Sequence, residues 1–213
     1  MVGAKRSHED EAGGPAPRRE ARRVILENPG ETWEQVFTVA PLVLVGSRDG
    51  SGRHGFAPAH MVTALGGGHF GFACKPEHGT CRNIRRRGVF TVTYPHPHQA
   101  ILASLGLAPS DDCEPLLESL PTFPATRIDG VFLEDGYLFL ECELDRLVEG
   151  FGDHVLVAGR VVAAHAEEDV LRRPGREDRD LLVRHPLLAY LHAGRFAPIS
   201  MSYPLLAARG LKS

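Results

Sequence analysis

Lys75, Thr80, Arg82 and Asn83 stand close together in the stretch K-P-E-H-G-T-C-R-N-I. Phe70, Phe72 and Cys74 alternate with His69, Gly71 and Ala73, the two-residue period of a strand that closes at Lys75. Pro76 and Gly79 bend the chain. From Thr80 to Arg87, Cys81 and Ile84 share one side while Arg82, Arg85 and Arg86 lie largely on others, which predicts a short helix opened by Thr80. Gly88 suits the left-handed end of that helix. Unpaired N–H groups at a helix start, with a hydroxyl and a cation beside them, favour a bound phosphate. An ordinary capped surface helix with solvated arginines accounts for the same residues equally well.

Two further stretches could do chemistry. Gly55-Phe56-Ala57-Pro58-Ala59-His60 is an extended strip of small residues, along which a flat ring could approach main-chain N–H and C=O groups. It also fits a plain edge strand blocked by Pro58. Gly152-Asp153-His154 stands directly before a strand, where a histidine could position a substrate or donate a proton near neutral pH. A surface turn with Asp153 bonding its own backbone is the plainer reading. His96-Pro97-His98 offers two imidazoles without an accompanying Cys or acidic pattern, so no metal site is expected. Glu141 and Glu143 share a strand face that is expected to be solvated. Gly66-Gly67-Gly68 lacks dinucleotide-binding spacing, and neither a nucleophile elbow nor a phosphate-binding G-x-x-x-x-G-K-[ST] loop occurs.

The elements that must position these residues are mostly strands. Residues 31–39 predict a short helix with Trp33, Val36 and Phe37 as its apolar edge. Leu42 to Val45 is a continuous apolar run, as in a buried strand. Arg48 to Arg53 forms a turn around Asp49-Gly50, the chain re-extends from Gly55 to Leu65, and Gly66 to Gly68 break it. Val89 to Tyr94 predicts a strand stopped by Pro95 and Pro97. Short helices are expected over 99–106 and 111–120, and a loop between Pro121 and Pro124. Val131 to Leu133 and Tyr137 to Leu147 form the clearest hairpin, with Leu138, Leu140, Cys142 and Leu144 turned inward and the alternate residues facing water. Val155 to Ala164 is a further strand, 167–180 a charged loop, 187–192 a last helix, and 195–203 extended. Hairpin-linked strands without regular strand–helix alternation point to a mainly β fold with short helices (α+β), an antiparallel barrel with helices outside.

The chain has 213 residues, enough for one sizeable core with a tail. Residues 1–22 mix charge with Gly and Pro and are expected to be a disordered leader; 23–213 form the domain. A net charge of −3 argues against nucleic acid or an anionic membrane as partner. No apolar run approaches a membrane span. Cys74, Cys81, Cys113 and Cys142 show no C-x-x-C spacing and are expected to be free thiols of a cytoplasmic protein.

Four segments, in order over most of the chain from Trp33 to Tyr203, resemble the flavin reductase-like family, the FMN-binding split barrel. They are Pro41 to Asp49, Gly55 to His60, Thr80-Cys81-Arg82-Asn83-Ile84 followed by Gly88 to Val92, and Gly152-Asp153-His154 before Val155 to Val161. The resemblance implies an antiparallel split β-barrel and a homodimer with FMN near the subunit interface. It implies an enzyme that uses NADH or NADPH to reduce bound or free flavin and that could supply a partner monooxygenase. Thr80 and Lys75 would hold the phosphate, with Asn83 beside them. Ala57, Pro58, Ala59, His60 and Met61 would meet the isoalloxazine. His154 would lie near the nicotinamide as the catalytic residue, and Arg195 and Phe196 would approach the flavin. Many family members carry Ser or Thr where Ala57, Ala59 and His60 stand, and Gly66 to Gly68 replace the usual Asp-Pro-Pro. Backbone contacts to the ring survive these changes, and His60 becomes a candidate to stand over it. The alternatives are a flavin enzyme acting on a dedicated small organic substrate, and a non-catalytic FMN-binding protein.

Overall fold

The structure is a computed structural model that describes residues 23–28, 32–98, 120–175, 177–192 and 194–203. The leader expected over 1–22, the helices expected over 99–106 and 111–119, and Cys113 lie outside the described residues. Met1–Thr32 and Trp33–Ser213 are separate compact units, and every described strand lies in the second. The strands are β1 (Val39–Pro41), β2 (Val43–Arg48), β3 (His54–Ala59), β4 (Val62–Leu65), β5 (His69–Cys74), β6 (Val89–Pro95), β7 (Thr122–Pro124), β8 (Val131–Leu133), β9 (Gly136–Phe151), β10 (His154–Ala166), β11 (Leu187–Leu191) and β12 (Arg195–Ile199). The helices are α1 (Thr32–Gln35), α2 (Gly79–Arg87) and α3 (Asp178–Arg184), with a 3-10 turn over Glu168–Val170.

Seven strands form one antiparallel sheet in the order β3-β2-β6-β9-β10-β5-β4. Its two edges, β3 and β4, are joined only by His60 and Met61. The sheet must therefore curl until its edges meet. Ala73 N–H donates to Met61 O at 2.9 Å, which ties that joint to β5. The result is the split barrel. A second sheet, β1-β11-β12, and the β7-β8 hairpin complete the fold.

The apolar run at the start of β2 is continuous because both of its faces are covered. Val43 and Val45 enter a core with Phe70, Phe72, Ile84, Phe90, Val92, Cys142 and Val157. Leu44 turns the other way, toward Leu42, Phe56, Leu133 and Leu188. Gly159 is required by the first core: a Cβ there would stand 2.5 Å from the Phe90 ring. Gly88 ends α2 in the left-handed conformation, φ 72°, and its N–H reaches Ile84 O.

Several expectations are corrected. The first helix stops at Gln35, and Val36 and Phe37 follow it, exposed. The segment 122–124 is a strand, not a loop. Leu187 to Leu191 is the middle strand of the small sheet, not a helix, because it pairs with β1 on one side and β12 on the other. The helix lies earlier, at Asp178–Arg184, and its first three residues fall in the segment expected to be a charged loop; Leu181 is its one buried residue. Glu141 is fully buried rather than solvated. The second face of β9 is covered at this end: Phe139 packs edge-on to Phe123 and Phe132. Cys74, Cys81 and Cys142 are free, as expected.

Candidate functional site

The start of α2 is open. A turn links it to β5, with His78 N–H donating to Lys75 O at 3.1 Å. His78 is the N-cap, in extended conformation, and no side chain caps the first turn. Its orphan N–H groups therefore await an acceptor. Thr80 is the second helical residue rather than the opening one, and its hydroxyl belongs to that first turn. A Cβ placed on Gly79 would meet nothing within 4 Å, so the space beside the helix start is free. Cys81 and Ile84 bury the inner face and fix the helix on the barrel. Of the exposed arginines, Arg85 reaches Glu149 at 3.7 Å and Arg87 reaches Asp129 at 3.5 Å. Arg82 forms no ion pair among the described residues. Asn83 Nδ2 donates to Ser47 Oγ at 3.2 Å, so this side chain ties the helix to β2.

The register of β5 and β10, Cys74 opposite Val155, brings Lys75 against the turn before β10. Lys75 Nζ lies 2.9 Å from one oxygen of Asp153, and His154 Nδ1 lies 2.6 Å from the other. Asp153 is thus a bridge between two of the expected site residues rather than a turn residue bonding its own backbone. The hydrogen bond from Lys75 is the main cause that holds the Asp153 carboxyl below its ordinary range, and the same bond raises the Lys75 ammonium. An ionised carboxylate only accepts, so Nδ1 of His154 carries the proton and Nε2 is left to face a ligand. Lys75, Asp153 and His154 thereby form one polar line, and its Lys75 end stands at the turn that leads into α2.

The other end of the site is built by β3 and the small sheet. Ala57, Pro58 and Ala59 pair with Val45, Leu44 and Val43 on one side, and among the described residues no strand pairs with β3 on its other side. Small side chains on a free edge leave room for a flat group against the backbone. His60 follows and stacks on Tyr190, ring centroids 4.0 Å apart and planes 23° apart. His192 stands edge-on to both, at 5.2 Å from His60 and 4.9 Å from Tyr190. Burial first, then the nearby His192 and His154, push the His60 imidazole below its ordinary pKa. Met61 is exposed. Arg195 and Phe196 lie opposite Leu191 and Tyr190. Arg195 reaches over the Phe37 ring at 6.0 Å, whereas Phe196 packs against the core around Leu44 and Phe56.

The fold therefore joins Lys75 to His154 through Asp153 and places Thr80 in the helix that follows the Lys75 turn, while Ala57 to Met61 run along β3 and its joint to β4, with His60 within electrostatic reach of His154. Asn83 bonds Ser47 on β2, and Phe196 packs against the core around Leu44 and Phe56. Tyr190 and His192 were not found in the sequence, because a helix over 187–192 would have separated them from His60. The uncapped helix start with a hydroxyl and a lysine fits a phosphate, and the free edge of β3 fits a planar ring; FMN carries both.

The model of the family described as flavin reductase like domain matches residues 37–200. No curated protein matches the sequence. Among solved structures, the chain is similar to 2-nitrobenzoate 2-nitroreductase NbaA of Pseudomonas fluorescens, with TM-score 0.70 and 22% identity over 88% of this chain and 95% of that one. It is similar to nitrilotriacetate monooxygenase component B of Bacillus cereus, with TM-score 0.69 and 20% identity over 87% of this chain and all of that one (100%). An FMN-binding protein of Thermus thermophilus gives TM-score 0.65 and 24% identity over 89% and 100% of the two chains.

Proposed function

Because this chain belongs to the flavin reductase-like family, we propose that it binds FMN and uses NADH or NADPH to reduce bound or free flavin. The observation that carries this reading is the polar line Lys75–Asp153–His154, whose Lys75 end stands at the turn leading into the start of α2. The N–H groups of the first turn, Thr80 Oγ1 and Arg82 would hold the phosphate, with Lys75 at its flank. Main chain of Ala57 to Met61 and the guanidinium of Arg195 would meet the ring. Bound FMN would supply reversible two-electron chemistry. The protein's part is to bind, orient and exclude. Asp153 fixes the proton of His154 on Nδ1, so that Nε2 can hold the nicotinamide donor in place.

Supply of reduced flavin to a partner monooxygenase is part of this proposal. Its support is the likeness to nitrilotriacetate monooxygenase component B. We also propose a homodimer: Phe37, Val39, Met61, Ile199 and Met201 are exposed apolar side chains along the small sheet and the β3–β4 joint. Free Cys74, Cys81 and Cys142 support a reducing, cytoplasmic setting. The described helices include none long and apolar enough to cross a membrane.

One observation favours a second reading. His60, at a position where many family members carry Ser or Thr, forms an aromatic wall with Tyr190 and His192 at the ring end. Such a wall suits an enzyme that reduces a dedicated small aromatic substrate in place of releasing reduced flavin. The test is anaerobic mixing of FMN-loaded protein with NADH or NADPH. Bleaching of the yellow flavin supports the reductase reading. Bleaching without transfer to free flavin supports the dedicated-substrate reading. A yellow protein that neither nucleotide bleaches is a non-catalytic FMN binder and refutes both.

A further inference from the structure

At the far end of β10 from His154, a second cluster of side chains lies apart from the flavin site. His96 follows β6, Glu167 follows β10, and His185 ends α3. One ligand atom from each of the three lies within 4.8 Å of the others. His96 Nε2 is 2.9 Å from Glu167 Oε2. The two imidazole centroids are 5.9 Å apart. Three separate segments supply the groups, and each backbone is pinned at the residue concerned. His96 N–H donates to Asp135 O at 3.1 Å, Glu167 N–H to Tyr137 O at 3.0 Å, and His185 N–H to Leu181 O at 2.8 Å. His98 and Tyr137 flank the buried His96 ring, at 5.2 and 5.5 Å. His96 is therefore held in place, and Glu167 and His185 converge on it.

We propose that His96, Glu167 and His185 bind one divalent first-row metal ion of the zinc class. Two imidazoles and one carboxylate are a donor set that such ions favour, at about 2.0–2.2 Å from each ligand atom. Ligand atoms around such an ion stand roughly 3.3 Å apart in tetrahedral geometry. Small side-chain rotations bring the present separations to that spacing. Calcium and magnesium are disfavoured, since they prefer all-oxygen shells. The histidine pair His96-Pro97-His98 carried no such signal in the sequence, because the second imidazole and the carboxylate come from distant segments and His98 is not among the ligands.

Three protein ligands leave at least one coordination position for an outside group. Beside the cluster lies a largely apolar cavity of ≈ 600 Å³, lined by His185, Tyr137, Leu138, Leu181, Leu182 and Leu187. His185 thus belongs to both the metal cluster and the cavity wall. A small organic molecule with an apolar body and one oxygen or nitrogen donor fits this pairing, the donor on the metal and the body in the cavity.

The test uses untagged protein stripped with EDTA and titrated with Zn²⁺ and Co²⁺ by calorimetry and visible absorption. The expected result is one ion per chain, with micromolar or tighter affinity and a visible Co²⁺ band. Glu167→Gln and His185→Ala should each weaken binding at least tenfold and remove the band. His69→Ala, on β5, should leave both unchanged. Glu167 and His185 are each only partly buried, so these variants keep the fold even where a change at buried His96 would not. Absence of stoichiometric binding, or binding that Glu167→Gln and His185→Ala leave intact, overturns the proposal. Neither outcome depends on whether the protein carries flavin.

Discussion

Glu141→Gln tests how the buried end of β9 is held. The carboxylate is fully buried. It accepts hydrogen bonds from Thr126 N–H and Oγ1 at 2.8 Å each, Arg127 N–H at 2.6 Å, Ile128 N–H at 3.1 Å and His165 Nε2 at 2.8 Å. Burial alone would raise its pKa; the hydrogen bonds from Thr126, His165 and Arg127 outweigh it and hold the pKa at about 2, against an ordinary 4.5. Each pH unit between the folded and unfolded values is worth about 1.4 kcal/mol, so the ionised group contributes about 3 kcal/mol at most. The folded pKa lies below the unfolded one. The contribution is therefore complete above pH 4.5 and is lost as pH falls toward 2, with about 2 kcal/mol gone by pH 3. Glutamine cannot titrate there, and its amide presents donors to donors. Urea unfolding of wild type and Glu141→Gln at pH 6 and pH 3 isolates this contribution, since carboxylates such as Asp49 titrate alike in both proteins. The wild type should lose about 2 kcal/mol more than the variant over that interval. Parallel losses would refute the reasoning.

Three further predictions concern the flavin site. Gly79→Asp places a carboxylate at an open helix start, so it should leave the melting temperature unchanged or raised while weakening FMN at least tenfold; unchanged FMN affinity would remove the phosphate from that place. Thr80→Ala should weaken FMN by about 1.5–3 kcal/mol, the worth of a hydrogen bond to a charged group, as read by fluorescence titration. His154→Ala should slow reduction by nicotinamide more than it weakens FMN, and Asp153→Asn should do the same to a lesser degree by releasing the His154 tautomer. Equal losses of rate and affinity in stopped-flow and binding measurements would reassign His154 to flavin binding.

What the sequence made legible was local. The alternation of Phe70, Phe72 and Cys74, the Asp49-Gly50 turn and the left-handed Gly88 each state their conformation within a few residues. Leu187 to Leu191 misled because Leu-Leu-Ala-Tyr-Leu carries good helix formers and no alternation; two flanking strands decide its state, and neither is near in sequence. The helix at Asp178 to Arg184 was not legible because a helix that buries only Leu181 shows almost no apolar stripe. Glu141 read as solvated because alternation assumes one wet face, and here the β7–β8 hairpin and the 125–130 segment cover that face too. For the site, the separate pieces at Lys75, Thr80 and His154 were visible. The union of Lys75 and His154 through Asp153 depends on the β5–β10 register, which no local spacing encodes. The same holds for the stack of His60 on Tyr190.

The central claim is that a flavin is held by its phosphate at the start of α2. Riboflavin is FMN without that phosphate, so the two affinities, measured side by side on flavin-free protein by fluorescence quenching, isolate it. FMN should bind one per chain and about a hundredfold more tightly than riboflavin, as expected from two charge-assisted hydrogen bonds of roughly 1.5 kcal/mol each. Equal affinities, or no uptake of FMN at all, would contradict the account.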